Sequence, residues 1–186
     1  MTCIIGWIKN KKMYMGCDNI GSNGSIVIQR NDSKIFTRNN EMIFGYTSSY
    51  RMGQLLRYSL KIPLHDPKIP DDEYMSTKFI DEVRNCLKDG GYMIRDNNEE
   101  SGGTFLVGYK GKLYLISDDF QVGIPSDGFF SVGCGMYYAL GAMKVLVKSN
   151  KNPVAIIEEA LSIAEYYSPG VRGPYQIDHL DIGEKK

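Results

Sequence analysis

The sequence predicts an α+β protein built as a four-layer αββα sandwich, two antiparallel sheets stacked between two layers of helices. Three observations carry this: strand signals open the chain, helical stripes come in two pairs, and more strand signals lie between and after those pairs. With 186 residues, 42% of them hydrophobic, the chain can bury one sizeable core and is expected to form a single domain over residues 1–186.

Cys3 to Ile8 is apolar, Lys9-Asn10-Lys11-Lys12 is a turn, and Met13 to Cys17 resumes with β-compatible residues, so a hairpin is expected at the start. Gly21 to Ser25 is a polar loop. Ile26-Val27-Ile28 and Lys34 to Thr37 read as short strands, and Arg38 to Glu41 turns the chain into Met42 to Thr47. A first helix starts near Ser48 or Ser49 with the stripe Met52, Leu55, Leu56, Leu60, and the loop Ile62 to Pro70 ends it. A second follows Asp71-Asp72-Glu73, acids suited to its positive end, with Met75, Phe79, Ile80, Val83 and Leu87 inward and Gly90-Gly91 as the stop.

Arg95 to Gly103 reads as a loop. Thr104 to Tyr109 and Lys112 to Ser117 form a hairpin around Lys110-Gly111, and Phe129 to Val132 is a further strand. Gly133-Cys134-Gly135 leads into a helix with Met136, Leu140, Met143 and Val147 on one face. Asn152-Pro153 starts another, carrying Ile156, Ile157, Ala160, Leu161 and Ala164. Tyr175 to Leu180 closes the sheet, and Tyr137, Tyr138, Tyr166 and Tyr167 are expected to be packing or subunit-contact residues.

Composition removes several function classes. Lys plus Arg and Asp plus Glu both number 22, with no basic block, which argues against a nucleic-acid partner. No apolar run approaches the ~18 residues that span a bilayer and no basic leader precedes one, so no membrane association and a cytoplasmic location are expected. Cys3, Cys17, Cys86 and Cys134 form no C-x-x-C pair, and His65 and His179 have no metal-ligand spacing. No metal site, redox dithiol or Ser-His-Asp triad is expected, and the four thiols should be reduced and mostly buried. Gly133-x-Gly135 is no dinucleotide loop, because Tyr138 holds the third glycine position and no βαβ unit precedes it, so no cofactor is expected. Cys134 has no histidine near it to make a thiolate and reads as a small buried packing residue. Cys3, by strand alternation, faces away from the side of the sheet that Thr2 faces and reads as core.

A nucleophile at a chain terminus can use its own α-amine as general base, because that amine titrates at about 7.7 to 8.0. Removal of Met1, which methionine aminopeptidase performs before small residues such as threonine, would make Thr2 such a terminus. Asp18 follows Thr2 at the end of the hairpin's second strand, and Lys34 follows Asp18 at the same spacing, at the start of a strand.

Thr2-Cys3-Ile4-Ile5-Gly6, Met15-Gly16-Cys17-Asp18 and Ser33-Lys34-Ile35-Phe36 together resemble the N-terminal half of proteasome β subunits and of the bacterial peptidase HslV. Met42 to Ser49 continues the resemblance, Ser131 to Leu140 resembles the family's glycine turn before its third helix, and Ala160 to Ala164 resembles its fourth helix. The resemblance implies an N-terminal nucleophile (Ntn) hydrolase, a threonine endopeptidase. Thr2 Oγ would attack a peptide carbonyl, Lys34 would lower its effective pKa as a neighbouring cation, and Asp18 would hold Lys34 charged. The backbone N–H of Ser48, where the family has glycine, would supply the oxyanion hole. Cys134 stands where the family has a serine that supports the terminal amine, and Ser168 matches the family's aspartate best. The first is a poorer hydrogen-bond partner and the second supplies no negative charge. The resemblance further implies a homo-oligomeric ring acting on peptides or unfolded protein, with a ring ATPase that feeds it. A non-catalytic ring or scaffold subunit and an Ntn amidase acting on a small amide are the alternatives.

Overall fold

The computed structural model describes residues 2–182, and Met1, whose removal frees Thr2 in the sequence reading, lies outside them. The strands are β1 (Cys3–Lys9), β2 (Lys12–Asp18), β3 (Ile20–Ser22), β4 (Val27–Gln29), β5 (Ile35–Arg38), β6 (Met42–Tyr46), β7 (Ile94–Asp96), β8 (Glu99–Ser101), β9 (Phe105–Tyr109), β10 (Lys112–Ile116), β11 (Val122–Gly123), β12 (Phe129–Gly133) and β13 (Tyr175–Asp181). The helices are α1 (Tyr50–Gln54), α2 (Asp71–Tyr74), α3 (Ile80–Asp89), α4 (Met136–Leu146) and α5 (Pro153–Tyr167).

One sheet has the order β12-β1-β2-β13 and the other β11-β10-β9-β6-β5, every pairing antiparallel. Strand alternation divides the apolar residues among three buried layers. Ile4, Met13, Met15, Ile43, Leu106 and Leu113 meet between the sheets. Their strand neighbours turn outward: Cys3, Ile5 and Trp7 pack under α4 and α5 beside Met143, Ile157 and Leu161. On the opposite side Phe44, Phe105 and Val107 pack under Met52, Leu56, Phe79 and Val83 of the first helical layer. This is the αββα sandwich the sequence predicts.

Local signals explain most boundaries. Ser49 accepts the Arg51 N–H at 3.0 Å and caps α1. Asn152 accepts the Ala155 N–H at 2.8 Å and caps α5, with Pro153 in its first turn. Each such cap contributes about 1 kcal/mol.

Four expectations are corrected. The segment read as a loop, Arg95 to Gly103, contains the hairpin β7–β8, because Asn97 and Asn98 both adopt left-handed backbone (φ 46° and 70°) and close a two-residue turn. The polar loop from Gly21 supplies β3, which pairs with β4 in a two-stranded hairpin outside both main sheets, and Ile26, Val27 and Ile28 are exposed. Both helices of the first pair pass through a π-helical turn, Leu55–Ser59 after α1 and Met75–Phe79 between α2 and α3. Tyr137, Tyr138, Tyr166 and Tyr167 are exposed, with Tyr138 stacked on Tyr167 at 5.3 Å, so of the two roles expected for them, packing or subunit contact, packing in the core is overturned.

Candidate active site

The candidate site lies where the start of β1, the end of β2 and the start of β5 converge. Thr2, Asp18 and Lys34 are all buried, the side chains of Asp18 and Lys34 to 0% and 2% exposure. Lys34 Nζ donates to Asp18 Oδ2 at 2.8 Å. Asp18 Oδ1 accepts the Cys3 N–H at 2.8 Å, and Oδ2 also accepts the Ile20 N–H at 3.4 Å. The carboxylate thus joins the ammonium to the backbone bond that follows Thr2. A buried charge is tolerated only when its partner and its remaining hydrogen bonds are supplied, and here they come from strand ends that fold together.

On the other flank of Thr2 the chemistry is neutral. Thr2 N lies 3.2 Å from Cys134 Sγ, and Ser168 Oγ donates to that sulfur at 3.5 Å. The Thr2 carbonyl accepts from Cys134 Sγ at 3.4 Å and from the Gly135 N–H at 3.3 Å. Cys134 was expected to be buried; it is exposed, although its sulfur reaches Thr2, because it sits in the turn before α4 and not on a face that packs into the core. Gly133 has φ of +102°, and a Cβ there would lie 2.2 Å from the Thr2 carbonyl oxygen, so only glycine fits. A Cβ on Gly135 would lie 2.7 Å from Val171 and 3.0 Å from the Cys3 Cβ.

Cys3 is buried on the α4–α5 side, as strand alternation predicts. Burial pushes its thiol up to about 12 and that of Cys17 up to about 11, so neither is a thiolate near neutrality. Among the described residues no cluster of His, Cys, Asp or Glu could hold a metal ion. No helix of the described residues is long and apolar enough to cross a membrane.

Thr2, Lys34 and Ser48 border one cleft of about 240 Å³, together with Arg30, Tyr46 and Tyr50. Ser48 has left-handed backbone (φ 59°), unusual for a residue with a side chain, and its Oγ accepts the Thr104 N–H at 3.1 Å. Sequence reasoning missed the cleft walls. Arg30 forms a two-point contact with Asp32 (2.7 and 2.5 Å), and its guanidinium lies 3.7 Å from the centre of the Tyr50 ring. The Arg30 guanidinium holds the Asp32 carboxyl below its ordinary range. The Arg30-x-Asp32 spacing was the available signal. Ser131 was also missed as a support: its buried Oγ donates to the Ile4 carbonyl at 2.8 Å and lies 3.6 Å from Cys3 Sγ.

No protein-family model matches the sequence, and no curated protein matches it. Solved structures do. BPH of Thiobacillus denitrificans superposes with a TM-score of 0.81 at 17% identity, over 98% of this chain and 100% of that one. HslV of Trypanosoma brucei superposes with a TM-score of 0.68 at 18% identity, over 96% of this chain and 99% of that one. The Anbu (Gly-1) mutant from Hyphomicrobium sp. strain MC1 superposes with a TM-score of 0.65 at 11% identity, over 100% of this chain and 85% of that one. The chain therefore has the fold of the HslV-like and proteasome-like Ntn hydrolases.

Proposed function

We propose that this chain is a threonine peptidase of the N-terminal nucleophile class, acting through Thr2 once Met1 has been removed. One observation carries the reading: a buried ammonium, Lys34, is held by a buried carboxylate, Asp18, which is itself tied to the N–H of the residue after Thr2. Such a pair is costly to bury, and next to a terminal hydroxyl it has a chemical use.

The freed Thr2 amine takes the proton from Thr2 Oγ as the oxygen attacks a peptide carbonyl. The tetrahedral oxyanion is met by the Ser48 N–H, a donor of a kind worth about 2.7 to 4 kcal/mol. The C–N bond breaks, the leaving amine takes the proton, and an ester remains on Thr2. Water then gives a proton to the Thr2 amine, attacks the ester and releases the acid, which returns the hydroxyl. Lys34 stabilises negative charge on Oγ, and Asp18 holds Lys34 in place. Cys134 and Ser168 border the amine, and the cleft beside Thr2 receives a substrate side chain. The chain works as one domain in a homo-oligomeric ring in the cytoplasm, on peptides or unfolded protein delivered by a ring ATPase.

The test begins with intact mass, which must show loss of Met1. Epoxomicin, present in a structure of the Thiobacillus denitrificans BPH, should then add to the wild-type chain and not to Thr2→Ala. Peptide hydrolysis should fall on the order of 10³-fold or more in Thr2→Ala. Retained Met1 sinks the mechanism. The neutral, thiol-bearing flank of Thr2 favours a second reading, a non-catalytic ring subunit, and epoxomicin labelling of Thr2 rejects it.

A further inference from the structure

Lys34 directly precedes β5, which is an edge: β6 is its neighbour on one side only. The ladder to β6 uses the Lys34 carbonyl, which accepts the Tyr46 N–H at 3.1 Å. Carbonyls alternate along a strand, so those of Ser33 and Ile35, on either side of Lys34, turn toward the open edge. One side chain takes both. Arg57 Nη2 donates to the Ser33 carbonyl at 2.5 Å and to the Ile35 carbonyl at 3.1 Å, with its guanidinium 4.7 Å from the centre of the Phe36 ring.

Arg57 belongs to the π-helical turn Leu55–Ser59, whose wider winding is uncommon and recurs at functional sites. The carbonyls at that helix end are satisfied from the strand: Arg38, the last residue of β5, donates to those of Leu56, Arg57 and Leu60 at 2.9, 2.8 and 2.9 Å. Two arginines therefore reach in opposite directions between the same strand and the same turn. Arg57 Nε is buried without a hydrogen-bond partner among the described residues, so the two strand carbonyls are the contacts that hold the guanidinium in place, together with the Phe36 ring.

We propose that Arg57 is a positioning residue for Lys34, standing in for the strand that β5 lacks and so fixing the backbone on both sides of the lysine. The inference rests on the reading of Lys34 as part of the reacting site, and it adds that the first helical layer sets where the ammonium stands. Displacing a reacting group by about 1 Å costs on the order of 10²-fold in rate.

The experiment compares wild type, R57K and R57M by peptide hydrolysis and by NMR of lysine labelled at Cε and Nζ. R57M should lose kcat on the order of 10²-fold and R57K about tenfold, because lysine is shorter and gives up the stacking of the planar guanidinium on Phe36 that aims the donor at the two carbonyls. KM should stay near the wild-type value, since Arg57 does not border the cleft. The Lys34 resonance should move or broaden in R57M while core methyl resonances remain native. A native R57M with wild-type kcat, pH profile and Lys34 resonance overturns the proposal. If R57M does not fold, an R57K with unchanged kcat and unchanged Lys34 resonance overturns it equally. If the wild-type chain hydrolyses no peptide, that outcome counts against the peptidase reading alone, and the Lys34 resonance decides the role of Arg57.

Discussion

The two flanks of Thr2 are built on opposite principles. On the β2–β5 side a full charge pair sits almost completely out of solvent, with both carboxylate oxygens engaged at 2.8 Å. On the α4–α5 side the exposed Cys134 sulfur and the buried Ser168 hydroxyl make contacts of 3.2 to 3.5 Å, with no carboxylate or ammonium among them. Breaking the first flank strands an ion in apolar surroundings; on the second, the exposed Cys134 can change at little cost to folding and the buried Ser168 carries no ion to strand. Stability and reactivity should therefore respond together on one side and separately on the other.

The largest expected effect is on the charged flank. Asp18→Ala leaves the Lys34 ammonium buried and unpaired and should cost about 3–5 kcal/mol, read by urea denaturation, with peptide hydrolysis lost as well. The double change Asp18→Leu with Lys34→Met should recover much of that stability and none of the activity. If Asp18→Ala unfolds with wild-type stability, the contrast between the flanks is broken.

On the other flank, Ser168→Asp places a carboxylate beside Cys134, whose sulfur contacts the Thr2 nitrogen. If Thr2 is the free terminus proposed above, the substitution should raise kcat about tenfold, the value of one pKa unit on the general base, and, because position 168 is buried, lower stability by about 1–3 kcal/mol, so that rate and stability move in opposite directions. A slower Ser168→Asp enzyme would show that the site has adapted to lacking that charge.

Alkylation should separate the thiols. Iodoacetamide at mildly alkaline pH should modify Cys134 first, leaving Cys3 and Cys17 silent until the chain unfolds, as peptide mass mapping can check.

The smallest effect is on alkaline stability. Burial raises the Cys3 thiol from its ordinary 9.0 to about 12, so the unfolded chain loses that proton first. The stability contributed by burying the neutral thiol is intact below pH 9.0 and declines as pH rises toward about 12. Cys3→Ala should flatten that part of a denaturation profile.

Much of the frame was legible in the sequence because it is written in side-chain periods. Period two in β1 sends Cys3 and Ile5 one way and Ile4 the other, and the helical stripe Met52, Leu55, Leu56, Leu60 is buried throughout. Thr2, Asp18 and Lys34 were legible as a group through their spacing, and the fold brings their strand ends together. What escaped lies in the backbone. The i, i+3, i+4 stripe reads the same whether the turn at Leu55–Ser59 is α or π, so neither that turn nor the edge carbonyls taken by Arg57 left a mark in composition. Asn97-Asn98 did leave one, a left-handed turn pair, but its polar surroundings hid it. The exposure of Cys134 follows from its place in the turn before α4, not from the cysteine.

That last arrangement bears on which substitutions this corner of the molecule can survive. Neither Gly133 nor Gly135 has room for even a methyl group, whereas the side chain at position 134 is exposed, meets Thr2 through its sulfur and can exchange that sulfur for oxygen with the main chain unmoved. The chemical character of what faces the Thr2 nitrogen can thus evolve while the platform beneath it stays still.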